Sequence, residues 1–247
     1  MIDSSTYSKP LTIKSNYLWF LTLSFSMFIV LSNWFDPRLV KFFGLTTDAG
    51  TLVFPFTFLI SDLITEVYGY KFARRAIWCG FVFNAFFILY SQIIIHMPSP
   101  DYPTNNANFD SLLSINIRII LASAISYFCS EPLSSYIIAK LKIIMMGKQM
   151  AARFVFSTVI ASFVDSIIFT VIAFYGTMEL NNLISLAATM WLIKVIIEIV
   201  GLPLSIWLAK KLKEEEKIDI YDKETTFNIF KLDTYYKNKD NEYVRHY

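Results

Sequence analysis

Charge is scarce in this chain. Only 17% of its 247 residues are Asp, Glu, Lys or Arg, against 55% hydrophobic, with a mean hydropathy of +0.48. A soluble domain usually carries nearer a quarter charged residues, so an ordinary aqueous fold is excluded. The net charge of +2 says little, because the positive residues are clustered. Cysteine is equally sparse. Cys79 and Cys129 both fall inside apolar runs, which excludes a disulfide framework and a metal-ligand spacing; they read as buried free thiols. The two histidines, His96 and His246, lie at a span end and in the tail. There is no His-Glu-x-x-His, no Gly-x-Ser-x-Gly and no phosphate-binding P-loop. The chain is therefore read as no enzyme and no self-sufficient ATPase. An intramembrane aspartyl-type hydrolase and a purely structural membrane factor remain as minor alternatives. Low-complexity segments and convincing internal repeats are also lacking.

What the sequence has is long apolar runs. About 20 helical residues, at about 1.5 Å each, cross the hydrocarbon core of a bilayer. Runs of that size occur near Tyr17–Phe35, Ala49–Tyr68, Ala76–Met97, Ser114–Ala139, Phe154–Gly176 and Leu183–Ala209. The expected fold is all-α, a polytopic bundle of six transmembrane helices over residues 17–209, with tails at 1–16 and 210–247. Lys9 and Lys14 precede the first run, but Trp34-Phe35-Asp36-Pro37 is no small-residue cleavage site, so the run reads as a retained helix. Lys71, Arg74 and Arg75 follow span two. Lys140, Lys142, Lys148 and Arg153 surround the link after span four, and Lys210, Lys211 and Lys213 follow span six. Residues 97–113 and 177–182 carry no Lys or Arg; only Arg38 and Lys41 go against the alternation. The positive-inside rule then places both termini in the cytoplasm. The tail beyond Ala209 reads as a solvated extension, helical for its first turns.

Several charged residues sit where lipid should be. A charge at the centre of a membrane helix costs about 2.5–3.5 kcal/mol on insertion scales, so such groups face a protein interior or a wet cavity. Span two holds Asp62 and Glu66, four apart on one face. Span four holds Arg118 near its outer end, and Glu131 before Pro132. Asp165 is near the middle of span five. Span six holds Lys194 and Glu198, on a stripe with Trp191 and Gly201. These depths predict one central cavity with five carboxylates against two cations. Some carboxyls must then be protonated, hydrated, or waiting for a donor-rich or cationic ligand. The plainer alternative is an intrahelical Lys194–Glu198 pair with inter-helix cross-links elsewhere. Ser123, Ser126, Ser130 and Ser134 follow helical spacing and predict close helix packing. Pro55 and Pro132 lie within spans and would free backbone carbonyls near the acidic groups. Trp191 and Phe58 share faces with the charges and are candidates to stack on a flat ligand.

Span two, Gly50-Thr-Leu-Val-Phe-Pro-Phe-Thr-Phe-Leu-Ile-Ser-Asp-Leu-Ile-Thr-Glu-Val-Tyr-Gly69 followed by Arg74-Arg75, closely resembles the signature helix of the YhhQ-like queuosine precursor transporters, in the vitamin uptake transporter family. Residues 153–174, with Ser157-Thr158, Asp165, Phe169 and Ala173-Phe174, are similar to that family's fifth helix; Lys194, Glu198 and Pro203 resemble its sixth. Ala161-Ser162 depart from a Gly-Gln in the family pattern, and Glu131 and Ser134 stand where a Gln and an Asp are expected. The resemblance implies a bacterial inner-membrane importer of a 7-deazaguanine, the 7-cyano or the 7-aminomethyl base. A secondary, proton-coupled carrier is the first reading, and a ligand-capturing subunit of an ATP-driven system the second. Asp62, Glu66, Arg118, Glu131, Asp165, Trp191, Lys194 and Glu198 are the expected substrate-binding residues. No cofactor, metal or nucleic-acid partner is called for; the partners are the small molecule and the lipid bilayer, with self-association left open.

Overall fold

The computed structural model describes residues 15–114 and 117–243. Lys9, Lys14 and most of the 1–16 tail lie outside the described residues, as does His246. In chain order the elements are α1 (Leu18–Phe35), a hairpin of β1 (Leu39–Phe42) and β2 (Leu45–Asp48), a 3-10 turn (Gly50–Leu52), α2 (Pro55–Tyr68), α3 (Tyr70–Ile95), a short α4 (Asn106–Leu113), α5 (Ile117–Ile144), α6 (Met150–Phe174) and α7 (Leu180–Glu216). A last 3-10 turn covers Asn238–Asp240.

Among the described residues, five helical segments are long and apolar enough to cross a membrane: Leu18–Phe35, Gly50–Tyr68, Tyr70–Ile95, Met150–Phe174 and Leu180–Glu216. α5 has the length, 28 residues, but carries Arg118, Glu131, Lys140 and Lys142. Helices run past the apolar stretches that announce them. α3 begins at Tyr70 rather than Ala76, and α7 continues to Glu216 rather than Ala209. Pro55 is at the first helical turn of α2, where its missing N–H breaks no bond; it frees no mid-span carbonyl. Pro132 and Pro203 do lie inside α5 and α7.

The distribution of side chains is the reverse of a soluble core. α6 turns Phe156, Phe163, Ile167 and Val171 outward and buries Ser157, Thr158, Ser162, Asp165, Ser166 and Thr170. Small and hydroxyl side chains between helices allow close approach and hydrogen bonding, while large apolar ones face acyl chains. α2 is the most enclosed span, 72% buried against 22% for α1 and for α3. It packs on α1, α3, α5 and α7, while α5, α6 and α7 form a contiguous three-helix wall.

Two features define the ends. The Glu216 carboxylate accepts from the Asn16 and Tyr17 amides at the start of α1, at 2.7 and 2.9 Å. The first and last long helices therefore begin and finish at one end, here termed the basic end. Away from it, the β hairpin reaches outward from the carboxyl end of α1. Four residues of strand span about 13 Å, close to the height α6 gains between Asp165 and Phe174 at about 1.5 Å per residue. The Leu39–Asp48 to Phe42–Leu45 ladder pairs the facing edges of the two strands.

The segment after α7 is solvated only in part. Ile220 and Tyr236 are 0% and 1% exposed, and they join the core cluster that contains Val67, Tyr68 and Ala73. The free thiols also need correction, because Cys129 is exposed on the outer face of α5 and Cys79 is half-buried.

Candidate functional site

Four helices, α2, α5, α6 and α7, contribute buried polar groups that stack as three tiers. Contacts keep the same order along each helix, and this fixes the tiers. α5 meets α6 through Ser130 and Asp165, and meets α2 through Ser134 and Asp62 one turn later. Near the basic end α6 and α7 meet Glu66 through Arg153 and Lys213.

In the tier nearest the hairpin, Lys194 Nζ lies 2.5 Å from Asp165 Oδ2, and Ser130 Oγ donates to Asp165 Oδ1 at 3.2 Å. Lys194 also lies over the Phe54 ring, 4.9 Å from its centroid. The pair borders a cavity of about 20 Å³ closed by Ser32, Asp36, Asp48, Thr51 and Ser126, room for about one water molecule. Asp48 accepts from the Thr51 amide and hydroxyl, both at 2.6 Å, and so starts the 3-10 turn that leads into α2. Asp36 packs directly against Gly50, where any Cβ would collide with its carboxylate.

The middle tier holds Asp62, Glu131 and Glu198, all 0% exposed. Ser134 donates to Asp62 Oδ1 at 3.3 Å and Thr57 to Glu131 Oε1 at 2.8 Å. Among the described residues, Asp62 Oδ2, Glu131 Oε2 and both oxygens of Glu198 have no hydrogen-bond partner; Glu198 and the Thr158 hydroxyl adjoin without a well-formed bond. The tier offers four unmet acceptors, and no cation among the described residues pairs with them.

The third tier is paired by charge, although Glu66 Oε2 and the Arg153 Nε and Nη1 have no hydrogen-bond partner among the described residues. Glu66 Oε1 is 2.9 Å from Arg153, 2.6 Å from Lys213 and 3.8 Å from Lys142. Asp219, from beyond α7, binds Lys142 at 2.6 Å and Lys213 at 2.8 Å. Lys and Arg stems run along apolar helix ends while their heads reach the carboxylates.

Of the expected site residues, Asp62, Glu131, Asp165, Lys194 and Glu198 converge in the two adjacent upper tiers. The others do not. Glu66 is fully buried and belongs to the ion cluster. Arg118 donates to the Ile172 and Tyr175 carbonyls, both at 2.5 Å, and so holds the end of α6. Trp191 donates its indole N–H to the Val159 carbonyl at 3.0 Å, packs edge-on to Phe163, and lines an outward apolar groove. It therefore faces away from the carboxylates. Lys194 pairs with Asp165 across helices, not with Glu198 along its own. Phe58 is fully buried against Phe54, edge to face. Both departures in α5 lie in the middle tier, since Ser134 serves Asp62 and Glu131 adds a carboxylate. Asp36 and Asp48 were missed because they sit in a link between apolar runs; their only sequence signal was acidity beside the span-two motif. In place of the wet central cavity expected, the column is nearly filled, with a cavity of about 20 Å³ beside Asp165 and Lys194.

Residues 48–208 match the family described as "Putative vitamin uptake transporter". Over 183 residues the chain is 24% identical to a protein of Bacillus subtilis (strain 168) named "Probable queuosine precursor transporter", covering 73% of this chain and 79% of that protein. No solved structure matches it.

Proposed function

This chain belongs to the vitamin uptake transporter family, and from that premise we propose that it imports a queuosine precursor, a free 7-deazaguanine base, across the bacterial inner membrane. The reading takes α5 as a sixth membrane helix and places the basic end, where the Lys and Arg of three links gather, in the cytoplasm. The Bacillus subtilis relative's name supports the cargo. The observation that carries the reading is the middle tier, with its four unmet carboxylate acceptors on Asp62, Glu131 and Glu198.

A guanine-type edge presents adjacent N–H donors, and a carboxylate has two oxygens to receive them. Lys194, once parted from Asp165, donates to the ring carbonyl oxygen. Phe54, already under the Lys194 ammonium, offers a face for the ring. Three carboxyls with no cation among them cannot all stay ionised in a dry interior. Protons that neutralise them are the coupling ions on this reading, and a 7-aminomethyl cation supplies the same balance.

The test is uptake in a strain unable to make the precursor, with 7-cyano- or 7-aminomethyl-7-deazaguanine supplied. Queuosine appearing in tRNA on expression, and lost when the proton gradient is collapsed, is expected. No queuosine with the protein present in the membrane overturns the cargo. Uptake that survives collapse, together with co-purifying ATPase subunits, replaces the secondary carrier with the capturing-subunit reading.

A further inference from the structure

The segment beyond α7 lies outside the family match, which ends at residue 208, yet it makes the densest set of long-range polar contacts at the basic end. We propose that residues 218–242 form a latch that seals the inner mouth of the polar column and must undock for ligand to leave. This inference rests on the transporter reading.

Three sets of contacts carry it. The first closes the column. Asp219 grips Lys142 and Lys213, the same two lysines that hold Glu66, and Glu66 is one turn from Asp62. Beside it the Ile220 amide donates to the Val67 carbonyl at 3.1 Å, and Lys142 Nζ donates to the Ile220 carbonyl at 2.7 Å. Asp219 and Ile220 are thus a floor beneath the third tier.

The second set caps a helix. Gly69, at φ +84°, ends α2 and begins α3 with no side chain to cap it. The Asp222 carboxylate accepts from the Tyr70 amide at 2.9 Å, and the Tyr236 hydroxyl accepts from the Lys71 amide at 3.0 Å while donating to Asp222 at 2.6 Å. Two orphan N–H groups at a helix start are satisfied, and by an acidic group, as the helix dipole favours. A Cβ at position 69 would collide with Tyr236 and Ile220, so the elbow is shaped to receive the latch.

The third set fastens its far part. Arg74, fully buried, donates to the carbonyls of Thr226, Asn228 and Asp233 at 3.3, 2.6 and 3.1 Å, and pairs with the Asp233 carboxylate at 3.0 Å. Trp78 donates to the Ile229 carbonyl at 2.8 Å. The segment is closed on itself where Tyr221 donates to Asp240 and Glu242 to Asp219, through their amides.

The physical logic of a gate follows from charge. Docked, three cations face two carboxylates, Glu66 and Asp219. Undocked, Glu66 alone faces them, and Lys142 and Lys213 gain by swinging toward water. Leaving the floor therefore loosens the cluster that bars the exit. The fastening combines charge-assisted polar contacts, of a kind that water replaces when the segment leaves, with the burial of Ile218, Ile220 and Tyr236 against the core.

A cysteine at Ser61, buried in the column, reads the gate without any cargo. In the full-length chain with Cys79→Ala and Cys129→Ala, Ser61→Cys is labelled with a membrane-impermeant thiol reagent from the basic end. Adding Asp219→Asn with Asp222→Asn is expected to speed labelling at least tenfold. Because the uncapped elbow could unfold, the converse variant is made as well. Lys71→Cys with Asp233→Cys, joined by a short bis-methanethiosulfonate before Ser61→Cys is probed, is expected to slow labelling at least tenfold and to recover on reduction. A joined latch that leaves labelling and uptake unchanged overturns the proposal. Faster and slower labelling as expected, in a protein that takes up no deazaguanine, keeps the latch and rejects the cargo.

Discussion

The middle and third tiers hold the same kind of residue on the same four helices, yet they are opposites. Glu66 is buried among Arg153, Lys213 and Lys142, whereas Asp62, Glu131 and Glu198 are buried among hydroxyls and leave four oxygens unserved. Burial of a carboxylate is common to both, so burial alone does not mark a ligand site. The number of cations within reach does, since Glu66 Oε2 also lacks a hydrogen-bond partner among the described residues. A carboxylate paired with cations stabilises and closes; carboxyls without them wait for donors from elsewhere.

The largest effect expected is in the tier whose carboxylate is paired with cations. Glu66→Gln leaves three cations with Asp219 alone, and removing one partner of a buried ion pair costs about 3–5 kcal/mol. Thermal unfolding of the purified protein in detergent should fall sharply; an unchanged midpoint would erase the distinction between the tiers. Next come Asp62→Asn and Glu198→Gln, which should cut uptake at least tenfold with folded yield and unfolding midpoint preserved. Full uptake by both variants would move the site elsewhere.

A smaller effect sharpens the comparison through pH. Burial raises the Asp219 carboxyl, but Lys142 and Lys213 outweigh it and hold it below its ordinary value of 3.8. A group depressed in the docked state contributes its stability above the ordinary value and loses it as pH falls through the docked one. Asp222 has the opposite sign. Burial, against the Tyr236 hydroxyl and the Tyr70 amide, holds it above 3.8, so its contribution weakens as pH rises through the raised value. Asp219 sits among Lys142, Lys213, Glu66, Tyr221 and Arg153. Measured relative to a permanently exposed cysteine, which corrects for the loss of thiolate at low pH, labelling at Ser61→Cys should therefore accelerate on acidification below about the ordinary carboxylate value, and Asp219→Asn should remove that acid step. The smallest effect belongs to the exposed Lys211–Glu215 pair at 3.7 Å. Lys211→Ala should change stability by no more than about 0.5 kcal/mol, within the scatter of a thermal melt.

The helices were legible because repeated apolar runs of membrane length fit a bilayer and overfill any aqueous core this chain could build. Asp62, Glu131, Asp165, Lys194 and Glu198 were legible because a charge in such a run must turn inward. Partner choice was not. Spacing four apart puts Lys194 beside Glu198, but side-chain direction sends it to Asp165 on α6. Lys142, Arg153 and Lys213 read as loop charges because their long stems let a residue near a helix end reach several ångströms back into the bundle. The latch left no periodic trace. It is held through backbone carbonyls, amide caps and Tyr hydroxyls together with a few scattered core residues, Ile218, Ile220 and Tyr236, whose spacing makes no period, so polar and aromatic residues of mixed order looked like an unstructured tail.

The cap on α3 also orders the assembly of the molecule in time. Asp222 lies 152 residues after the amide it serves, and at about 5–20 residues per second the ribosome delivers it roughly 8–30 s later. Until then the α2–α3 elbow stands in the membrane with its amides open to water. Asp222 and Tyr236 finish an elbow made long before them, so a chain cut short by a stop codon ahead of residue 222 carries its defect about 150 residues upstream of the cut.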